Sequence, residues 1–587
     1  MSGARAAARW SLALAVVLVA AKAALLALRA ADGAAVAPSA WLPIALLHED
    51  ARVLVAFALL AALAHRFARL RPVVPIVYAA LAFWTAFNIP VARQLSSPLT
   101  FAFLHATGGA ITDSIASYVT PLNLGVPLAL CALAFALPRV VRVGSGVALV
   151  GATITIIAIA LGPTAVRRAG VSGWHRNAVV TIAETTFARH AGRAPAPPPP
   201  LTSDACRPLV DPGAADLTDL VGLAQHRNVV WVILESTGAR AFPAYGAARD
   251  VTPNLTALAS NAVVFESAYA AYPESIKGFF SMICGREPPP GAEASDFVRD
   301  RVPCAPAAEA FARAGVRTGL FHSGWFAYLG MEAVVRQRGF DVLVDAGSVD
   351  SPHRSSFGVD DRATARSLLA FVDQTPRDQR FFAVFMPIAG HHPYRAPGDA
   401  PRPFPEQDDH SAYFNDLHVA DDSFGVLREG LRARGLDEQT VYVVVGDHGE
   451  AFREHPGNVA HALYVYEENV RVPFFIAAPG ANLRPRRAPQ LASLIDLTPT
   501  TLSLAGLPTS AAHEGRSLLI QSPPRVARFS TEQGVRRVAL RDGRWKLIVD
   551  ADSGRPEVFD LLSDPAERRW APAADVVAAR YRACLGL

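Results

Sequence analysis

Three clusters of residues able to do chemistry each follow a short apolar run. Glu235-Ser236-Thr237 comes after NVVWVIL, His391-His392-Pro393-Tyr394 after FFAVFMPI, and Asp447-His448-Gly449-Glu450 after TVYVVVG. Carboxylates and imidazoles are the side chains that ligate divalent cations and carry protons near neutral pH. One carboxylate past a strand is commonly a helix cap. Three polar, metal-competent clusters in the same relation to three similar runs point instead to one site.

The runs that would position them are rich in β-branched residues and uninterrupted by polar ones, the pattern of parallel strands buried on both faces. The second and third are each preceded by a helical pattern, so residues from 227 onward are expected to fold as α/β with crossover connections. In such sheets ligands sit beyond the carboxyl ends of the strands, where the polar clusters fall. Upstream, APAPPPP at Ala194 to Pro200 favours extended polyproline and marks a semi-rigid linker.

With 587 residues the chain exceeds a single core. A net charge of +4 with scattered arginines excludes the clustered basic footprint of a nucleic-acid binder. The mean hydropathy of +0.23 is concentrated in the first third. Apolar stretches at Trp10–Leu28, Val53–Leu70, Val73–Ala92, Leu122–Leu137 and Val147–Ala165 approach the ~20 residues of a spanning helix. Five spans are expected, the second being the shortest in apolar content because of His65, Arg66 and Arg69. Arginines at 5 and 9, at 66, 69 and 71, and at 139 and 142 belong on the cytoplasmic side. An odd number of spans then exports the C-terminal part as a multi-pass protein of the cell membrane. Lys22, inside the first stretch, is expected to snorkel toward the interface. In an exported domain Cys284 and Cys304 are candidates for a disulfide, the alternative being free buried thiols.

Further motifs carry a family resemblance: TPNLTALASNAVVFESAYA at Thr252–Ala270, Ser275 ten residues before Gly285, GDHGE, and YEENVRVPFFI. Together they resemble the sulfatase and alkaline phosphatase superfamily. Spans followed by an exported catalytic domain look like the lipid A phosphoethanolamine transferases and lipoteichoic acid synthases within it. The combined expectation is a five-helix transmembrane bundle (1–166), an interfacial segment and linker (167–226), an α/β alkaline-phosphatase-like domain with a central, mostly parallel sheet (227–520), and a small C-terminal α+β subdomain (521–587).

The resemblance places the nucleophile at Ser275, with Ser236 and Thr237 the lesser alternatives. A divalent cation lowers the pKa of a hydroxyl it binds, as does a helix N-terminus, and both favour attack by serine oxygen. Glu235, Asp447 and His448 with Ser275 form a mixed oxygen and nitrogen set for one ion, suiting zinc or manganese rather than calcium. The resemblance assigns His391 and His461 to the ester oxygens or the leaving group, with His392 able to replace His391. Lys277 offers a point charge for an anionic oxygen, or is a solvated helix residue. His322 and His455 are either near the cleft or satisfied polar residues.

Sulfatases mature a Cys or Ser within C/S-x-P/A-S-R, whereas Ser275 here is followed by Ile276-Lys277-Gly278-Phe279. That departure favours direct attack by serine and phosphoryl transfer, from a membrane lipid donor to an envelope glycan or lipid acceptor. VALRDGRWKLI and EVFDLLSDPAERR near the C-terminus look like the closing hairpin of hydrolytic sulfatases. They keep a sulfatase or phosphodiesterase with water as acceptor as the alternative, and a non-catalytic envelope binding protein as a third.

Overall fold

A computed structural model describes the chain except residues 1–2, 35, 102–103, 105–111, 143, 172, 191–195, 300 and 572–573. The first two residues of the proline-rich linker, and part of the segment between the third and fourth expected spans, lie outside the described residues.

The N-terminal third is helical: α1 Gly3–Ala31, α2 Leu42–Arg66, α3 Val73–Leu95, α4 Pro121–Val140, α5 Ser145–Ala169 and α6 Ala178–His190. Among the described residues, α1, α3, α4 and α5 are long and apolar enough to cross a membrane. The expected second span is not among these four. Its helix begins at Leu42, earlier than the apolar run, and takes His48, Glu49, Asp50 and Arg52 into its first turns. Lys22 does not snorkel. It is buried, donates to the carbonyls of Trp174, His175 and Arg176 at 3.1, 3.3 and 3.0 Å, and pairs with Asp50 at 3.5 Å.

The part of the chain from residue 228 onward is built on an eight-stranded sheet. Its strands are β1 Asn228–Leu234, β2 Ala262–Phe265, β3 Arg317–His322, β4 Val342–Val344, β5 Phe381–Met386, β6 Thr440–Gly446, β7 Phe474–Ala477 and β8 Arg486–Ala488. They lie in the order β8-β2-β7-β6-β1-β5-β3-β4. Every pairing is parallel except those of β7 with β6 and β2. The three runs read from the sequence are thus the three adjacent central strands, β6, β1 and β5.

Alternation along β1 explains its uninterrupted apolar character. Val229, Trp231 and Ile233 pack on one face with Phe279 and Phe280 of α7 (Ser275–Cys284). Val230, Val232 and Leu234 pack on the other with Leu368 of α8 (Asp361–Asp373) and Phe424 of α9 (Asp409–Ala433). Each such fully buried aliphatic stabilises the domain by about 1.5–3 kcal/mol.

Residues near the C-terminus form a separate antiparallel sheet, β9 Ala527–Thr531, β10 Arg537–Arg541, β11 Trp545–Asp550 and β12 Pro556–Asp560, followed by α10 Ala574–Tyr581. Lys546 of β11 is fully buried and reaches Glu467 and Glu567 at 3.0 and 2.9 Å, which anchors this sheet to the YEE segment that precedes β7. Cys284 and Cys304 are bonded, with their Cα atoms 4.6 Å apart. A second bridge, Cys206 to Cys584, joins residues 378 apart. Spacing that long carries no signal in sequence.

Candidate active site

Strand ends and one helix start deliver the site. Glu235 follows β1 directly, Asp447 and His448 follow β6, and Ser275 is the first residue of α7. The cap of α7 is Glu274, whose carboxylate accepts from the backbone amides of Ile276 and Lys277, both at 3.3 Å. Ser275 is therefore not engaged as a cap, and its half-buried hydroxyl sits at the positive end of the helix.

The turn after β1 is tightly held. Ser236 adopts a left-handed backbone (φ 52°), a conformation that costs a non-glycine residue about 1–3 kcal/mol. It is fixed by the Tyr413 hydroxyl donating to the Ser236 carbonyl at 2.6 Å and by the Ser236 amide donating to Asp447 Oδ1 at 2.9 Å. Gly449 is required sterically, because a Cβ there would lie 2.1 Å from the Glu468 carbonyl oxygen.

Ser275 Oγ lies 2.9 and 3.2 Å from the two oxygens of Glu235 and 3.3 Å from His448 Nε2. His448 Nε2 is 3.7 Å from Glu235 Oε1 and 3.4 Å from Asp447 Oδ2. Glu235, Asp447 and His448 each offer one ligand atom, all within 4.8 Å of one another, and all three residues are buried. Burial, then the adjacent Glu235 charge, holds the Asp447 carboxyl well above its usual range. Burial, then His461 and His391, holds His448 well below its own. Two carboxylates forced together in the interior with a neutral imidazole are unfavourable unless a cation neutralises them. The donor set fits one divalent ion, and the Ser275 hydroxyl lies within hydrogen-bond reach of Glu235 and His448 beside it.

Beside this cluster stands a second, which sequence reasoning only partly foresaw. His461 Nδ1 lies 2.7 Å from Glu450 Oε2, and the Tyr394 hydroxyl donates to Glu450 Oε1 at 2.5 Å. A carboxylate only accepts, so Nδ1 carries the proton and Nε2 is left for the cleft. The rings of His461 and His448 are 4.2 Å apart and those of His461 and His391 5.8 Å. His391 packs against Phe357 at 4.2 Å and Tyr328 at 6.2 Å. Burial alone would lower His461, but Glu450 reverses this and raises it, while His391 is lowered by its burial.

Glu450 and Glu274 had visible signals, standing next to the DHG motif and to Ser275, yet neither has a role assignable from sequence. Tyr118 had none. It comes from the membrane half, just after the short helix Thr112–Ser117, and its ring stacks on His392 at 5.4 Å and 12°.

The remaining expected residues divide. Lys277 Nζ lies 3.4 Å from the Tyr272 hydroxyl and 4.5 Å above its ring. Burial would lower Lys277, but Tyr272, Glu532 and Glu274 together raise it. His322 bonds the Met386 carbonyl at 3.2 Å and stacks on Phe326. His455 pairs with Glu468 at 2.6 Å. Both therefore have satisfied partners of their own.

Residues 227–507 match the family model described as Sulfatase. That segment is thus sulfatase-like, and it contains the whole of the eight-stranded sheet. Arylsulfatase K of Bos taurus is 32% identical over 178 residues, covering 26% of this chain and 32% of that protein. Lipoteichoic acid synthase 2 of Bacillus subtilis (strain 168) is 23% identical over 303 residues, covering 49% and 46%. The chain thus spans about a third to a half of these curated relatives. The crystal structure of a lipoteichoic acid synthase from Listeria monocytogenes superposes with a TM-score of 0.53 at 18% identity, covering 64% of this chain and 94% of that one. At that identity the likeness shows the fold.

Proposed function

We propose that the chain is a membrane-anchored, divalent-metal-dependent transferase that moves a phospho-alcohol head group from a lipid donor to an envelope glycan or lipid acceptor through a phosphoseryl intermediate at Ser275. The observation that carries this reading is the Ser275 hydroxyl at the start of α7, within 3.3 Å of both Glu235 and His448 and beside Asp447. Zinc or manganese held by Glu235, Asp447, His448 and Ser275 would supply Lewis acidity toward the ester and a lowered pKa for the serine hydroxyl.

Ser275 Oγ, having lost its proton to solvent before the attack, forms the new bond to phosphorus while the bond from phosphorus to the lipid alcohol breaks. His461, oriented by Glu450, gives its Nε2 proton to the departing oxygen. His391, with His392 beside it, steadies the nonbridging oxygens, and Lys277 adds positive charge to that wall. In the second half an acceptor hydroxyl attacks the phosphoserine, returns a proton to His461, and Ser275 Oγ leaves.

Stacking of Tyr118 on His392 supports a donor drawn from the bilayer, since a residue of the membrane half lines the way to the site. We place the catalytic half outside the cytoplasm, with α2 as a fifth crossing. Its 25 residues extend ~37 Å, and its polar first turns are paired with Lys22 and Asn177 rather than left to lipid. Two disulfides support an oxidising compartment. The divisions at 166, 226 and 520 belong to the same reading.

Hydrolysis of a sulfate or phosphate ester with water as acceptor is the second reading, favoured by the local identity to arylsulfatase K. Intact mass spectrometry of the full chain and Ser275→Ala, incubated with zinc or manganese and phospholipid, separates the two. A head-group adduct on the wild type alone supports transfer. Metal-dependent release of phosphate or sulfate without adduct or transfer product, lost in Ser275→Ala, assigns the hydrolase.

A further inference from the structure

A cavity of about 320 Å³ lies where the membrane helices meet the catalytic half, within the range that holds small ligands. None of the residues around Ser275 lines it. Its walls include Glu49 and Arg52 of α2, Arg167 in the last turn of α5, His175, and Thr181 and Glu184 of α6.

Its floor is tied down by hydrogen bonds to Lys22 and Asn177. Lys22 binds three successive carbonyls, those of Trp174, His175 and Arg176. Asn177 donates from its side chain to Asp50 and from its backbone to Glu49, both at 2.6 Å. Ionisable residues within membrane helices are costly and mark sites of binding or transport. Here they pin the segment 174–177 across the end of the bundle. The wall toward the catalytic half is closed by Arg176, which pairs with Asp552 at 2.7 Å.

Polarity is graded from bottom to rim. Deep in the cavity Glu49 uses one oxygen on the Asn177 amide, and its other lies 3.8 Å from His175 Nε2. Thr181 is 4% exposed, and among the described residues its hydroxyl has no hydrogen-bond partner. At the rim Arg52 faces Glu184 at 3.3 Å across exposed surface. Arg167 is exposed and donates to the Thr164 hydroxyl at 3.4 Å. An anion alone would meet Glu49 at the bottom, and a bare cation would meet guanidinium groups at the entrance. A zwitterion satisfies both.

We propose that this cavity binds the aminoalkyl-phosphate head group of a membrane phospholipid, its ammonium toward Glu49 and Thr181 and its phosphate between Arg52 and Arg167. Arginine is suited to phosphate by its planar fork of donors, and a site at the last turn of a membrane helix lies at head-group level. A lipid held there bridges α2, α5 and α6 to the catalytic half through the Arg176–Asp552 wall. It is a second lipid site, independent of whatever reaction Ser275 performs.

The test uses the detergent-purified full chain carrying Ser275→Ala and kept in chelator, so that the catalytic centre does not report. Thermal unfolding and native mass spectrometry are followed with short-chain phosphatidylethanolamine, phosphatidylcholine, phosphatidylglycerol, free phosphoethanolamine and inorganic phosphate. Phosphatidylethanolamine is expected to raise the midpoint saturably and to survive as a bound adduct. Phosphatidylcholine, whose ammonium donates no hydrogen bond, binds at least tenfold more weakly. Arg167→Ala, at an exposed position, and Thr181→Val each weaken the phosphatidylethanolamine effect at least tenfold. An equal response to phosphatidylglycerol or inorganic phosphate overturns the zwitterion, and phosphoethanolamine binding as tightly as the lipid overturns the membrane source. Undiminished binding in Arg167→Ala overturns the site itself.

Discussion

Replacing Glu450 with glutamine tests the proton-handling half of the site. The substitution keeps shape and volume but removes a buried charge that holds His461 Nδ1 at 2.7 Å and takes the Tyr394 hydroxyl at 2.5 Å. Burial by itself depresses His461, and the Glu450 carboxylate overcomes that and raises its pKa. A group raised in this way is charged below its pKa, so rate limited by the His461 cation falls as pH climbs through that value. Removing one member of a buried charge pair costs about 3 kcal/mol, equivalent to about two pH units at 1.36 kcal/mol each. The alkaline limb of kcat/KM should therefore move down by about two units. The loss in rate is therefore expected to be largest on the alkaline side, roughly a hundredfold where both enzymes lie past their limbs, and smallest at acid pH. The assay is release of aryl alcohol from an aryl phosphodiester across pH 5 to 10 at saturating metal, so that both enzymes carry the same ion. An alkaline limb at the same pH in both, with a uniform drop in rate, would refute the argument and reduce Glu450 to a packing role.

Metal binding should stabilise the fold, since Glu235 and Asp447 are buried side by side. At a thousandfold excess over Kd the gain is about 4 kcal/mol, or roughly 10 °C in midpoint, read by thermal unfolding with zinc or manganese against chelator and absent in Asp447→Ala. Of the two disulfides, Cys206–Cys584 closes a span of 378 residues and Cys284–Cys304 one of 20. Chain entropy makes the longer about 2.6 kcal/mol more stabilising, so Cys206→Ser should lower the denaturation midpoint more than Cys284→Ser. His455, which burial would lower, is raised by Glu468. Its contribution is fully present below the unfolded value of about 6.5 and fades as pH rises through the higher folded one. The stability deficit of His455→Gln should be largest near pH 6, about 1–3 kcal/mol, and should shrink by pH 9 in urea titrations at the two pH values.

Much of the catalytic centre was legible in the chain itself. β1, β5 and β6 are almost wholly apolar past their first residue because both sheet faces are covered, and so Glu235, His391 and Asp447 announce themselves as the first polar groups past each strand. Motif resemblance added Ser275 and His461, which the structure brings to the same cleft. What the chain could not reveal were relations between residues far apart in sequence. Glu450 is one carboxylate among many until Tyr394 and His461 close on it. Tyr118 joins the site from the membrane half, and Cys206 finds Cys584 across nearly the whole catalytic domain. The partners of the charged residues in the second helix were hidden for a related reason. Hydropathy treats charge as incompatible with a membrane interior, whereas Lys22, Glu49, Asp50 and Asn177 are satisfied by one another. Local pattern determines which segments become strands and helices, because burial on one or two faces is written in residue period. Which polar groups become partners is decided only when packing brings them within hydrogen-bond reach, and a linear sequence does not encode that distance locally.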